Sequence, residues 1–127
     1  MSLILDKLIE KIKKHPHYSE IGMIACHLGL VRGTSRNGQP VKKLSVQVNQ
    51  EKLKEIITNI KKMPGIVETL VEAKQGVFTV GETLMAIAVA GDIREHVFPA
   101  LEKTVNLIKS KAITKTEQYS KEERNGN

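Results

Sequence analysis

Two stretches of the chain are almost wholly apolar, and they limit what it can become. Glu20-Ile-Gly-Met-Ile-Ala-Cys-His-Leu-Gly-Leu-Val31 is the first, and Thr83-Leu-Met-Ala-Ile-Ala-Val-Ala90 the second. Neither approaches the ~20 apolar residues that span a bilayer. Both read as strands, the first with its two faces covered. Gly29 allows a bulge or a close backbone approach, and Gly91-Asp92 turns the chain after the second run. Aromatic residues make up only 3% of the 127 residues, with no Trp. The core around these strands must therefore be aliphatic, and Cys26 is expected within it as a small hydrophobe.

Helical spacing fills much of the remainder. Residues 3–14 carry Leu5, Leu8, Ile9 and Ile12 on one face, and Pro16 follows where helices commonly stop. Asn49 can cap a helix over 50–62, with Leu53, Ile56, Ile57 and Ile60 as its buried stripe and Pro64-Gly65 at its end. A last helix runs from about Ile93 to Ser110, with Val97, Leu101, Val105 and Ile108 inward and Pro99 near its start. Residues 41–48, 66–72 and 77–80 read as strands, and 32–40 as a basic loop. From Glu117 the chain is polar and expected to fray. This order predicts an α+β fold, a largely antiparallel sheet with helices packed on one side. It fits one domain over residues 1–117 and a polar tail over 118–127.

Several classes of chemistry fall away. One cysteine excludes an intramolecular disulfide and Cys-rich metal centres, and points to a reducing, cytoplasmic setting. No secretory signal is evident at the N-terminus. His15, His17, His27 and His96 lack metal-ligand spacing, so no metal site is expected. Adjacent strand positions put Cys26 and His27 on opposite faces, which argues against a catalytic pair. Phosphate-cradling and nucleophile-elbow motifs are missing.

The formal charge of +6 favours an anionic partner: a phosphorylated small molecule, an acidic protein surface or nucleic acid. Scarce rings and dispersed basic residues argue against nucleic acid, and no apolar span argues for a membrane. The notable cations stand at element ends. Arg32 closes the first apolar strand, Arg36 lies in the loop after it, and Arg94 follows the second. Lys109, Lys111 and Lys115 stand where the last helix runs out. Cations emerging into a loop-bordered cleft grip phosphate well; solvated surface charge is the other reading of the same pattern.

At these residues the sequence resembles the catalytic (large) subunit of molybdopterin synthase, from about Gly22 to Glu117. The likeness lies in Gly29-Leu30-Val31-Arg32 and the polar loop after it, Gly76, the Val80-Gly81-Glu82 turn, Arg94, and Lys109, Lys115 and Glu117 in that order. It implies the family's α/β hammerhead-like fold. It also implies sulfur transfer from the C-terminal thiocarboxylate of a ubiquitin-like small sulfur-carrier subunit to cyclic pyranopterin monophosphate, giving the molybdopterin dithiolene. No metal or organic cofactor is implied. By resemblance Lys109 and Lys115 are the catalytic lysines, Arg32 and Arg94 contact the anionic substrate, and His27 holds a pocket-wall position that is often aromatic. Arg36 and Lys111 join the substrate-binding set as neighbouring cations. The chain departs from the family at Ala73-Lys74-Gln75, at Ile93, and between the two lysines, where Pro and Trp are missing. A catalytically impaired relative that binds a partner or an anion is the alternative those departures define.

Arg94 and Lys109 are fifteen positions apart on what reads as mostly one helix, roughly 22 Å at ~1.5 Å per residue. One chain cannot bring both to a small substrate. If they serve one pocket, a homodimer must share it, and the resemblance likewise implies a dimer with a small subunit at each end.

Overall fold

The computed structural model describes residues 4–119. In chain order its main elements are α1 (Ile4–Lys13), β1 (Met23–Leu30), β2 (Val41–Val48), α2 (Gln50–Lys61), β3 (Ile66–Ala73), β4 (Gly76–Thr79), β5 (Thr83–Gly91), α3 (Arg94–Leu107) and β6 (Ile113–Tyr119). Among the described residues no helix is long and apolar enough to cross a membrane.

The strands form two three-stranded antiparallel sheets, β1-β5-β3 and β4-β2-β6. The apolar run at 83–90 is the central strand of the first, and its side chains alternate between two cores. Met85, Ile87 and Val89 join Ile56, Ile60, Val97 and Ile108 from the side of α2 and α3. Ala86, Ala88 and Ala90 meet Leu8 and Ile12 of α1. The three alanines and Ile87 and Val89 have no exposed surface. Small side chains on one face let α1 lie close; branched ones on the other fill the larger core. The helices therefore divide between the faces of this sheet, α1 on one and α2 and α3 on the other, rather than packing on one side as the sequence predicts. The α+β class and the antiparallel pairing are as expected.

The first apolar strand differs from the second. β1 lies at the sheet edge, and α1 sits chiefly over β5. Ala25 is buried towards the main core, while Cys26 is exposed and Leu28 remains 39% exposed. Both expectations for this run, two covered faces and a core Cys26, are corrected here. An apolar run specifies a strand, but it does not say how far the covering helix reaches.

Asn49 caps α2, its side chain accepting from the Lys52 backbone N–H at 3.0 Å. α3 ends at Leu107 and widens into a π-turn over Ile108–Ala112. The Asn49 N–H donates to the Ala112 carbonyl at 2.7 Å, which fixes the end of that turn against the start of α2. Val97, Ala100, Thr104 and Ile108 are the fully buried positions of this segment, with Leu101 and Val105 at their flank. Thr104 is satisfied internally, its hydroxyl donating to the Ala100 carbonyl at 2.6 Å.

The expected fraying from Glu117 is also corrected. β6 pairs with β2 as far as Tyr119, so the ordered domain extends past 117, and residues 120–127 of the anticipated tail lie outside the described residues. Ile113, Thr114 and Thr116 are β-branched, which suits a pleated strand.

Candidate functional site

The site begins where β1 gives out. The Val31 N–H donates to the Glu82 carbonyl at 3.0 Å, and the Gly81 N–H donates back to Val31 at 2.9 Å. Val31 is thereby pinned under the Val80-Gly81-Glu82 turn, and Arg32 projects from a fixed point. Its Nε–H donates to the Thr34 carbonyl at 2.8 Å. The loop that follows is folded on itself. The Ser35 N–H donates to the Gln39 carbonyl at 2.8 Å, and the Gly38 N–H to Ser35 at 3.0 Å. The Ser35 hydroxyl accepts from the Gln39 N–H at 3.1 Å and donates to Asn37 Oδ1. Gly38 takes φ +86°, a left-handed value that favours glycine. Ser35 is consequently buried while Arg36 stands exposed at the tip.

The opposite wall comes from the π-turn and β6. Lys109 stands on the turn. On β6, Lys115 lies across the ladder from Val46, and Glu117 across from Leu44. Both partners face the core, so Lys115 and Glu117 leave the strand on its inner side. The Tyr119 hydroxyl donates to Glu117 Oε1 at 2.6 Å. Loop and wall enclose a cleft of about 960 Å³ whose lining includes Arg32, Arg36, Lys109, Lys115, Glu117 and Tyr119.

The cleft is electrostatically unusual for a lysine. Partial burial lowers the Lys115 pKa from the ordinary lysine value, and the charges of Lys109 and Arg36 push it further down; Glu117 opposes them. Its side chain still touches solvent, so the effect is that of a crowded cleft rather than of a sealed interior. His27 lies just behind. Burial, then Lys109, then Lys115 lower its pKa below the ordinary imidazole value.

Four of the seven anticipated site residues thus meet in one cleft: Arg32, Arg36, Lys109 and Lys115. His27 stands beside it. Arg94 does not join them; it is exposed at the start of α3 and pairs with Glu95 at 3.5 Å. Lys111 turns the other way, to a separate depression of about 510 Å³ with Asn49, Gln75 and Thr114. Ser35 and Tyr119 were not anticipated. The alternation Ile113, Lys115, Glu117, Tyr119 was the available signal for the second, because it places all four on one face of a strand. Among the described residues no group of three or more His, Cys, Asp or Glu side chains could hold a metal ion.

The family described as MoaE protein matches residues 3–111, a span that includes Arg32, Arg36, Arg94 and Lys109 and stops short of Lys115. No curated protein sequence matches the chain. Solved structures share its fold. Molybdopterin synthase from Staphylococcus aureus is 24% identical over 80% of this chain and 77% of that one, with a TM-score of 0.69. The molybdopterin biosynthesis MoaE protein from Burkholderia ambifaria MC40-6 is 18% identical over 91% and 80%, with a TM-score of 0.72. The complex of subunits 1 and 2 of molybdopterin-converting factor from Helicobacter pylori 26695 contributes a chain 19% identical over 95% and 86%, with a TM-score of 0.68. At these identities the likeness carries the fold, and the family match, over most of the sequence, carries the rest: this chain belongs to the MoaE protein family.

Proposed function

We propose that this chain is the large, catalytic subunit of a molybdopterin synthase, working in molybdenum cofactor biosynthesis. It takes sulfur from the C-terminal thiocarboxylate of a small ubiquitin-like carrier and transfers it to cyclic pyranopterin monophosphate. The observation that carries this reading is the convergence of Arg32, Arg36, Lys109 and Lys115 on one cleft. Arg32 and Arg36 present planar donors suited to the substrate phosphate. The carrier's sulfur bonds to a pterin side-chain carbon as a carbon–oxygen bond at that carbon breaks, the oxygen departing with a proton or with the phosphate. Water then adds to the acyl carbon, the acyl carbon–sulfur bond breaks, and the carrier leaves as a carboxylate while sulfur stays on the pterin. Negative charge develops on the acyl oxygen during that addition, and the ammonium groups of Lys109 and Lys115 are placed to stabilise it. A second transfer completes the dithiolene. Glu117 tempers the repulsion between the lysines and, held by Tyr119, keeps its carboxylate beside Lys115.

In this reading Arg94 serves the cleft of a partner copy in a symmetric homodimer, since its own chain holds it outside. The lone cysteine fits a cytoplasmic enzyme. The test combines the protein, its thiocarboxylated carrier and the pterin phosphate, and reads dithiolene formation. Turnover that Lys109→Ala abolishes without unfolding the protein supports the proposal. Tight binding of the pterin phosphate without turnover identifies a binding protein instead.

A further inference from the structure

We infer that His27 is a positioning residue, its Nε2 accepting a hydrogen bond from the Lys109 ammonium to hold that lysine when the cleft is occupied. The inference rests on the proposed sulfur transfer for its consequence, but on the structure for its geometry. His27 Nε2 is buried and has no hydrogen-bond partner among the described residues. Buried polar atoms are normally paired, and one that is not calls for a missing partner.

The surroundings restrict what that partner can be. His27 pairs with Ile87 in the β1–β5 register, on the face turned towards the main core. Gly29, two residues further along the same face, adds no side chain beside the imidazole; a Cβ there would sit 3.6 Å from Nε2. The register shifts at Gly29/Leu30, and the chain then runs straight into Leu30, Val31 and Arg32, which line the cleft. The charges bearing on the imidazole are the two ammonium groups, Lys109 ahead of Lys115. Together with burial they keep it neutral at pH 7. A neutral imidazole has one N–H and one lone pair. Cationic neighbours favour a lone pair over an N–H at the buried, unpartnered Nε2, and we assign the ring proton to Nδ1 on that ground. An ammonium has three donors and no lone pair. Lys109, on an exposed turn, is the complement.

Two readouts test this on the full-length protein. Histidine ¹⁵N spectra report whether Nε2 carries a proton, with inorganic phosphate and then the pterin phosphate as the cleft probe. We expect an unprotonated Nε2 whose resonance moves when the cleft fills, and no such movement in Lys109→Met. In the transfer assay, His27→Phe should lower kcat about ten- to a hundredfold, the weight of one hydrogen bond to a charged group, with KM for the pterin within about twofold. His27→Gln, whose carbonyl restores an acceptor, should recover most of the loss. A protonated Nε2, a resonance that responds identically in Lys109→Met, or equal rates for the Phe and Gln variants would each overturn the inference. Should wild type make no dithiolene, the proposed function falls, and the spectra still decide the contact between His27 and Lys109.

Discussion

Lys115 faces Val46 across the β2–β6 ladder, and Val46 is only 2% exposed. A cation thus leaves an edge strand on its core side, where an apolar residue would be the stable choice. Inward charges on edge strands also deter edge-to-edge pairing. Lys115→Met separates the two purposes. It keeps the aliphatic stem, removes a charge that Lys109 and Arg36 already repel, and should leave Tm level or raised. Activity should drop about a hundredfold or more, as for loss of one preorganised donor. A fully active variant that aggregates would show that the lysine only protects the edge.

The two cores around β5 make a separable claim. Ala88 has no exposed surface and meets α1, whereas its neighbour Ile87 faces α2 and α3. Ala88→Leu should overpack the α1 side and cost ~1–3 kcal/mol. Ile87→Ala should cost ~2–5 kcal/mol by leaving a cavity in the larger core. Denaturant unfolding measures both. An Ala88→Leu protein as stable as wild type would mean that α1 is not packed closely there.

Much of this architecture is legible in the chain, and the exceptions have physical causes. β2 and the Asn49-capped α2 are marked by local signals, alternation and a capping side chain, and those survive into the fold. Arg32 and Lys109 could be named as candidates because they stand at element ends. Cys26 could not be placed, since its burial depends on where α1 lies, a long-range matter. Lys111 and Lys115 look alike in sequence, yet a π-turn sends one to a separate depression and a strand pairing sends the other into the cleft. The departure from α-helical geometry at Ile108 leaves no mark in the apolar period that precedes it. β6 was readable from its β-branched alternation, but its polarity reads equally well as a tail.

His27 should also leave a signature in stability. Its pKa is lowered in the folded protein from an ordinary value of 6.5, by burial, Lys109 and Lys115. As pH falls below 6.5 the unfolded chain takes up the proton first, so the unfolded state gains and stability declines until the folded value is passed. Above 6.5 both states are neutral there and the contribution is constant. His27→Gln should flatten this part of the profile. Urea midpoints for both proteins from about pH 5 to 7.5 would show it. Parallel slopes would mean that the imidazole is not held neutral by its surroundings.

α3 spans 14 residues, about 21 Å of helix, and separates Arg94 from the turn that bears Lys109. If two copies complete each cleft, Arg94→Ala and Lys109→Ala should each be inactive alone. Mixed by refolding or co-expression, they should regain activity. Half of the randomly formed dimers then carry both lesions on one site and none on the other, so the mixture should reach about a quarter of the wild-type rate. Dithiolene formation against mixing ratio measures this, with size-exclusion chromatography reporting the dimer. Activity in Arg94→Ala alone would remove Arg94 from the site. An inactive mixture of well-folded dimers would show that the two residues serve the same copy.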